Sequence, residues 1–246
     1  MFSRRLLGAG GAVALALVLA SCAWSSEPMS DYTPLTKSTF ARAVSEASSS
    51  FTSVHTHASV NGGAFVVDAD FDYRGEGAAQ MSVTSPNNTG APAVLRLIGT
   101  DTYLQIPAQA SKDGTVKWAK LPPNTTDEQT GYSPKDLAEQ YKSQAVSVDY
   151  LGPSTVDGQT LYKYAVVLPL TAEQTSLVVL RGAATEGEKL TVTEHIYLND
   201  KNVLQRIVIP GSQPLDPMET DFSKWNAPLS ITAPSEKDLV NSGQGQ

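Results

Sequence analysis

Only one cysteine and three histidines occur in the 246 residues of this chain. A lone thiol excludes an intramolecular disulfide, so stability has to come from a packed core. It also leaves a zinc site short of ligands, since such sites want three or four. Basic residues are few, 18 against 25 acids, and nowhere clustered enough to neutralise a phosphate backbone, which argues against nucleic acid as a partner. Catalytic signatures are equally scarce. There is no Gly-x-Ser-x-Gly elbow, no His-Glu-x-x-His pair, no Ser-x-x-Lys on a well-capped helix and no glycine fingerprint after a strand. The chain is accordingly read as non-enzymatic and without a cofactor.

What is present begins at the N-terminus. Arg4 and Arg5 precede an apolar stretch from Leu6 to Ala20, too short for a comfortable membrane span, and Leu19-Ala20-Ser21 leads into Cys22. Small residues admit a peptidase and a thiolate accepts a thioether-linked diacylglycerol, so residues 1–21 read as a lipoprotein signal and Cys22 as the acylated first mature residue. A plain secretory signal cut near Ala20 is the alternative. Two acyl chains suffice for stable attachment where one is marginal. The expected location is the extracytoplasmic face of the cell membrane. Loss of the two arginines deepens the formal charge from −7 to −9, a balance that favours solubility outside the cell.

Residues 22–34 read as the lipidated cysteine and a polar tether, 35–240 as a single domain and 241–246 as a flexible tail. Phe40, Val44, Ala47 and Phe51 form a stripe at helical spacing, predicting a helix over 36–50. A second is expected from Ser133, through Pro134, to about Gln144. Residues 171–182 carry competing helix and strand signals. In 65–73 the odd positions are apolar while Asp68, Asp70 and Asp72 point the other way, the period of a sheet wet on one face. Further strands are predicted over 53–60, 79–84, 94–98, 102–106, 115–120, 145–151, 159–168, 189–198 and 203–209, with a loop over 85–90. This order suggests one large antiparallel sheet, not alternating βαβ units.

The titratable residues divide poorly into sites. His55 and His57 share a strand face but lack a third ligand. Asp68, Asp70 and Asp72 lack the wrapping loop of a calcium site, and Glu194 and His195 are adjacent on a strand and so face opposite ways. More informative is the apolar supply: Phe65, Val67, Phe71, Leu95, Leu97, Leu104, Tyr162, Tyr164, Val166, Ile196, Leu198 and Ile207 would cover a wide sheet that few helices can roof. Either the layers meet in a dry core or they enclose a gap, and periodicity alone does not choose.

Three phrases carry a resemblance: Val94-Leu95-Arg96-Leu97-Ile98-Gly99-Thr100-Asp101-Thr102-Tyr103-Leu104, Thr155-Val156-Asp157-Gly158-Gln159-Thr160-Leu161-Tyr162-Lys163-Tyr164 and Ile196-Tyr197-Leu198-Asn199-Asp200-Lys201-Asn202-Val203-Leu204-Gln205-Arg206. In this order after a lipoprotein signal, over roughly residues 32–234, the chain resembles the actinobacterial cell-envelope lipoproteins of the LppX/LprG family. The resemblance implies an α+β fold: a strongly curved antiparallel half-barrel with helices over its concave face and a lipid cavity between. It implies an acylated lipid or glycolipid as ligand, with Phe40 and Val44 among the cavity residues, and an envelope transporter or assembly protein as the partner that receives it. The alternative is an assembly or protein-interaction module of the same fold with a filled core. A continuous apolar cavity would favour the carrier; a compact core beside an exposed apolar patch would favour the module.

Overall fold

The structure is a computed structural model that describes residues 32–85, 91–111, 113–122, 133–170, 190–211 and 217–240. The expected signal, Cys22, most of the tether, the loop over 86–90, the ambiguous 171–182 segment and the tail 241–246 lie outside these residues. The chain divides into units Met1–Thr33 and Pro34–Gln246, and every element below belongs to the second.

Two helices form where capping chemistry favours them. In α1 (Lys37–Ser48) the Thr36 amide donates to Thr39 Oγ1 at 2.9 Å, satisfying one group that the first turn would leave without a partner. In α2 (Pro134–Gln144) Ser133 Oγ accepts from the Asp136 amide at 3.1 Å, and Pro134 occupies the first turn, where its missing N–H costs nothing.

Among the described residues there are twelve strands, most of them following the alternation in the sequence: β1 (Ser53–Val60), β2 (Phe65–Asp72), β3 (Ala78–Thr84), β4 (Ala93–Ile98), β5 (Asp101–Ile106), β6 (Lys117–Lys120), β7 (Ser147–Val156), β8 (Gln159–Pro169), β9 (Thr191–Leu198), β10 (Leu204–Ile209), β11 (Met218–Ser223) and β12 (Leu239–Val240). They make one sheet in the order β12-β6-β5-β4-β3-β2-β1-β11-β10-β9-β8-β7. Two antiparallel meanders, β1 to β6 and β7 to β11, are joined by the pairing of β1 with β11, and β12 lies parallel to β6.

This corrects the expected half-barrel. The sheet is mixed, and it is neither closed nor strongly curled: β12 and β7 end it on opposite sides without pairing. Each edge has a local reason to stop. A bulge between Tyr150 and Gly152, followed by Pro153, interrupts β7, and β12 is only two residues long.

Two strands were not legible in advance. In β11, Glu219 and Asp221 mask the alternation of Met218, Thr220 and Phe222; both acids pair with Arg206 on β10, at 3.1 and 2.5 Å. β12 is too short to carry a pattern. Between these strands residues 224–238 run as a strap tied to the polar face. Ser53 Oγ donates to the Ala227 carbonyl at 2.7 Å, Arg74 to that of Leu229 at 2.9 Å and Arg96 to that of Thr232 at 3.2 Å. Trp225 anchors its start, stacked on Phe51 and Phe222.

Candidate functional site

Register decides which side chains share a face. Across β7, β8, β9 and β10 the rows Tyr150–Tyr164–Ile196–Ile207 and Val148–Val166–Glu194 lie on one side. Across β2 to β6 the same side carries Ala69–Met81–Leu95–Leu104–Ala119 and Phe71–Ala79–Leu97–Thr102. The apolar residues singled out in the sequence therefore lie on a common face, but in two unlike settings.

The first setting is roofed. α1 packs against α2 and β7, and α2 against β8. Phe40 comes down from α1 onto Tyr164, whose ring lies 5.1 Å from that of Phe40 and 5.2 Å from that of Tyr150; the Tyr141 ring of α2 meets Phe40 edge-on at 5.7 Å. The Leu35 amide donates to the Tyr164 hydroxyl at 3.0 Å, so the phenol is satisfied where it is buried. Phe40, Val44, Tyr162, Tyr164, Val166, Ile196, Leu198 and Ile207 are all buried, with Tyr164, Val166 and Ile196 at 0% exposure.

In the second setting neither of the described helices packs as it does on β7 and β8, although Asp136 of α2 comes near Tyr73 just past the end of β2. Val67, Phe71, Leu95 and Leu104 are half-buried, Leu97 is buried, and Phe65 is 50% exposed. A small cleft of about 80 Å³ runs beside Phe71, Tyr73, Ala79 and Leu97. Burial pushes the Tyr73 phenol well above its ordinary pKa, with Asp136 of α2 adding to the shift. A larger open groove, about 920 Å³, lies between α1 and α2 along Lys37, Ala41, Arg42, Ala138 and Lys142. None of the sheet residues named above lines it.

Sequence reasoning set Glu194 aside, yet it enters the roofed region. Its carboxylate accepts from the Tyr141 hydroxyl at 3.1 Å, and burial raises its pKa while that bond partly offsets the rise. The available signal was parity: Glu194 falls in step with Val192, Ile196 and Leu198. His195 faces the other way, where desolvation and Lys163 lower its pKa.

The opposite face is polar and internally paired. His55 meets Asp70 at 2.8 Å and His57 meets Asp68 at 2.7 Å across β1 and β2. Asp72 is held below the usual carboxylate range by the Arg74 guanidinium. Among the described residues no group of three or more His, Cys, Asp or Glu is placed to hold a metal ion.

No protein-family model matches this chain, and no curated protein matches it in sequence. Solved structures do. LprF from Mycobacterium bovis is 18% identical with a TM-score of 0.55, the match covering 81% of this chain and 97% of that one. The Mycobacterium tuberculosis lipoprotein LppX is 17% identical with a TM-score of 0.52, covering 78% and 95%. At these identities the likeness is one of fold.

Proposed function

We propose that this chain is a lipid-anchored envelope lipoprotein that binds an acylated lipid or glycolipid on the part of its apolar sheet face away from α1 and α2 and helps pass it to another envelope component. The observation that carries the reading is the row Val67, Phe71, Leu95 and Leu104, half-buried on a sheet whose polar face is already strapped. Such a row can take acyl chains out of water, at about 0.8 kcal/mol for each CH₂ buried. Acylated Cys22 would hold the domain at the donor bilayer and raise the effective lipid concentration without altering the binding face. The fold likeness to two mycobacterial lipoproteins is consistent with such a setting. No step in this role requires a catalytic group.

A second reading is an assembly module that docks a protein partner on the same face. The ring packing of Phe40, Tyr141 and Tyr164 favours it, because a compact core beside a part-exposed apolar patch is what such a module needs. Native mass spectrometry of residues 23–246, prepared without detergent from an actinobacterial host, separates the two. A stoichiometric adduct of acylated species is expected. A folded, empty protein that also takes up no lipid from vesicles would sink the carrier reading and leave the module.

A further inference from the structure

Glu194 is the sole acid among the described strand residues that alternate onto the apolar face. A carboxylate offers about four acceptor positions. Here one donor, the Tyr141 hydroxyl at 3.1 Å, fills one of them, and no cation pairs with it among the described residues. A carboxylate in apolar surroundings without a countercharge is a costly arrangement. Glu194 is intermediate in exposure and not fully enclosed.

Its position relative to the rest of the apolar face adds direction. On β8 its neighbour is the fully buried Val166. On the other side β10 sets Val208 opposite His195, which brings Ile209 next to Glu194 on the shared face. From Ile209 the row continues to Met218, Val60 and Phe65. The first three are half-buried and Phe65 is half-exposed. Four strand intervals separate Glu194 from Phe65, about 19 Å at ordinary spacing. One end of an apolar track is thus a desolvated acceptor and the other is open to solvent.

We propose that Glu194 is the head-group acceptor of this face. It takes hydrogen bonds from the hydroxyls of a neutral glycosyl head whose acyl chains lie along Ile209, Met218, Val60 and Phe65. The assignment rests on the acyl-binding reading above and narrows it to one class of lipid. A neutral sugar donates to the open carboxylate oxygens, whereas a phosphate beside the same group is repelled, so the acid selects against anionic heads.

The test uses the full chain held in phosphatidylcholine vesicles by its own anchor. Three probes share matched acyl chains, one of them photoactivatable: monogalactosyl diacylglycerol, triacylglycerol and phosphatidic acid. Crosslinking to the β1, β2, β4, β5, β10 and β11 peptides is quantified by mass spectrometry. The galactolipid is expected to crosslink about tenfold better than triacylglycerol, the size of one hydrogen bond to a charged group, and phosphatidic acid least. Glu194→Gln should bring the galactolipid and the phosphatidic acid toward the triacylglycerol level. Tyr141→Phe keeps the ring against Phe40 and frees the carboxylate, so it should retain the galactolipid preference. A wild-type chain that takes all three probes equally, or a Glu194→Gln chain with unchanged selectivity, overturns this assignment while leaving acyl binding standing. A wild-type chain that crosslinks none of them overturns both.

Discussion

The end of the sheet under α1 and α2 and the end away from them are built from the same alternation and present the same face, yet their side chains differ in burial. At β8 and β9, Tyr164, Val166 and Ile196 are wholly buried under α1 and α2. At β2, β4 and β5, Val67, Leu95 and Leu104 have equivalent parity and remain half-exposed. Among the described residues, α1 and α2, of 12 and 11 residues, pack on β7 and β8 at one end of the sheet. The roofed end is thus mostly core, with Glu194 at its margin, while the other end keeps more of its apolar face in contact with solvent.

The sharpest way to break this contrast is to empty the roofed end. Tyr164→Ala removes a fully buried ring that touches Phe40 and Tyr150, and it leaves the Leu35 amide without its acceptor. A loss of about 3–5 kcal/mol in unfolding free energy is expected by denaturant titration. A loss below about 1 kcal/mol would mean that the end is not the packed core described. Leu104→Ala, at the matching parity on β5, should cost only about 1 kcal/mol, because a half-buried side chain forfeits roughly half of its transfer energy. Equal costs at the two positions would erase the distinction.

Glu194 sharpens the comparison through pH. Its folded pKa lies above the ordinary 4.5, so over a window opening near that value the folded state holds a proton that the unfolded chain has released. Stability should therefore fall as pH rises from about 4.5 through the folded pKa, and then level off. Glu194→Gln should flatten that decline and raise stability at neutral pH, as followed by melting temperature against pH. A parallel curve for the variant would show that the acid carries no desolvation penalty. Phe65→Ser should have the smallest effect on stability, under about 0.5 kcal/mol, since its ring is already half in water. It should nevertheless lower lipid uptake from vesicles. A stability loss as large as that of Leu104→Ala would place Phe65 in a core.

Much of the fold was legible because hydrophobic period is a local property. The strand predicted over residues 53–60 matches β1, and those over 65–73 and 159–168 each agree with β2 and β8 to within one residue at either end. Both helices start beside their capping residues. β11 was hidden because Glu219 and Asp221 look like loop residues until Arg206 is placed on the neighbouring strand. β7 runs past the predicted stop at Leu151 because an edge strand tolerates Gly152 and Pro153. The half-barrel failed for a different reason: curvature and closure depend on how distant edges meet, and alternation is silent about that. The candidate site divides in the same way. Parity picked out the apolar face, but not which of its residues would be roofed, and Glu194 was set aside through its neighbour His195, although its partner, Tyr141, lies on a helix far away in sequence.

Most of the strands, both helix starts and the face their side chains take could be read from the residues alone, because these follow from backbone period and capping over a few residues. Only the tertiary structure decided that β1 meets β11, that the sheet stays open and that the helices settle on β7 and β8. Those outcomes rest on contacts between residues far apart along the chain, whose energies no local pattern encodes.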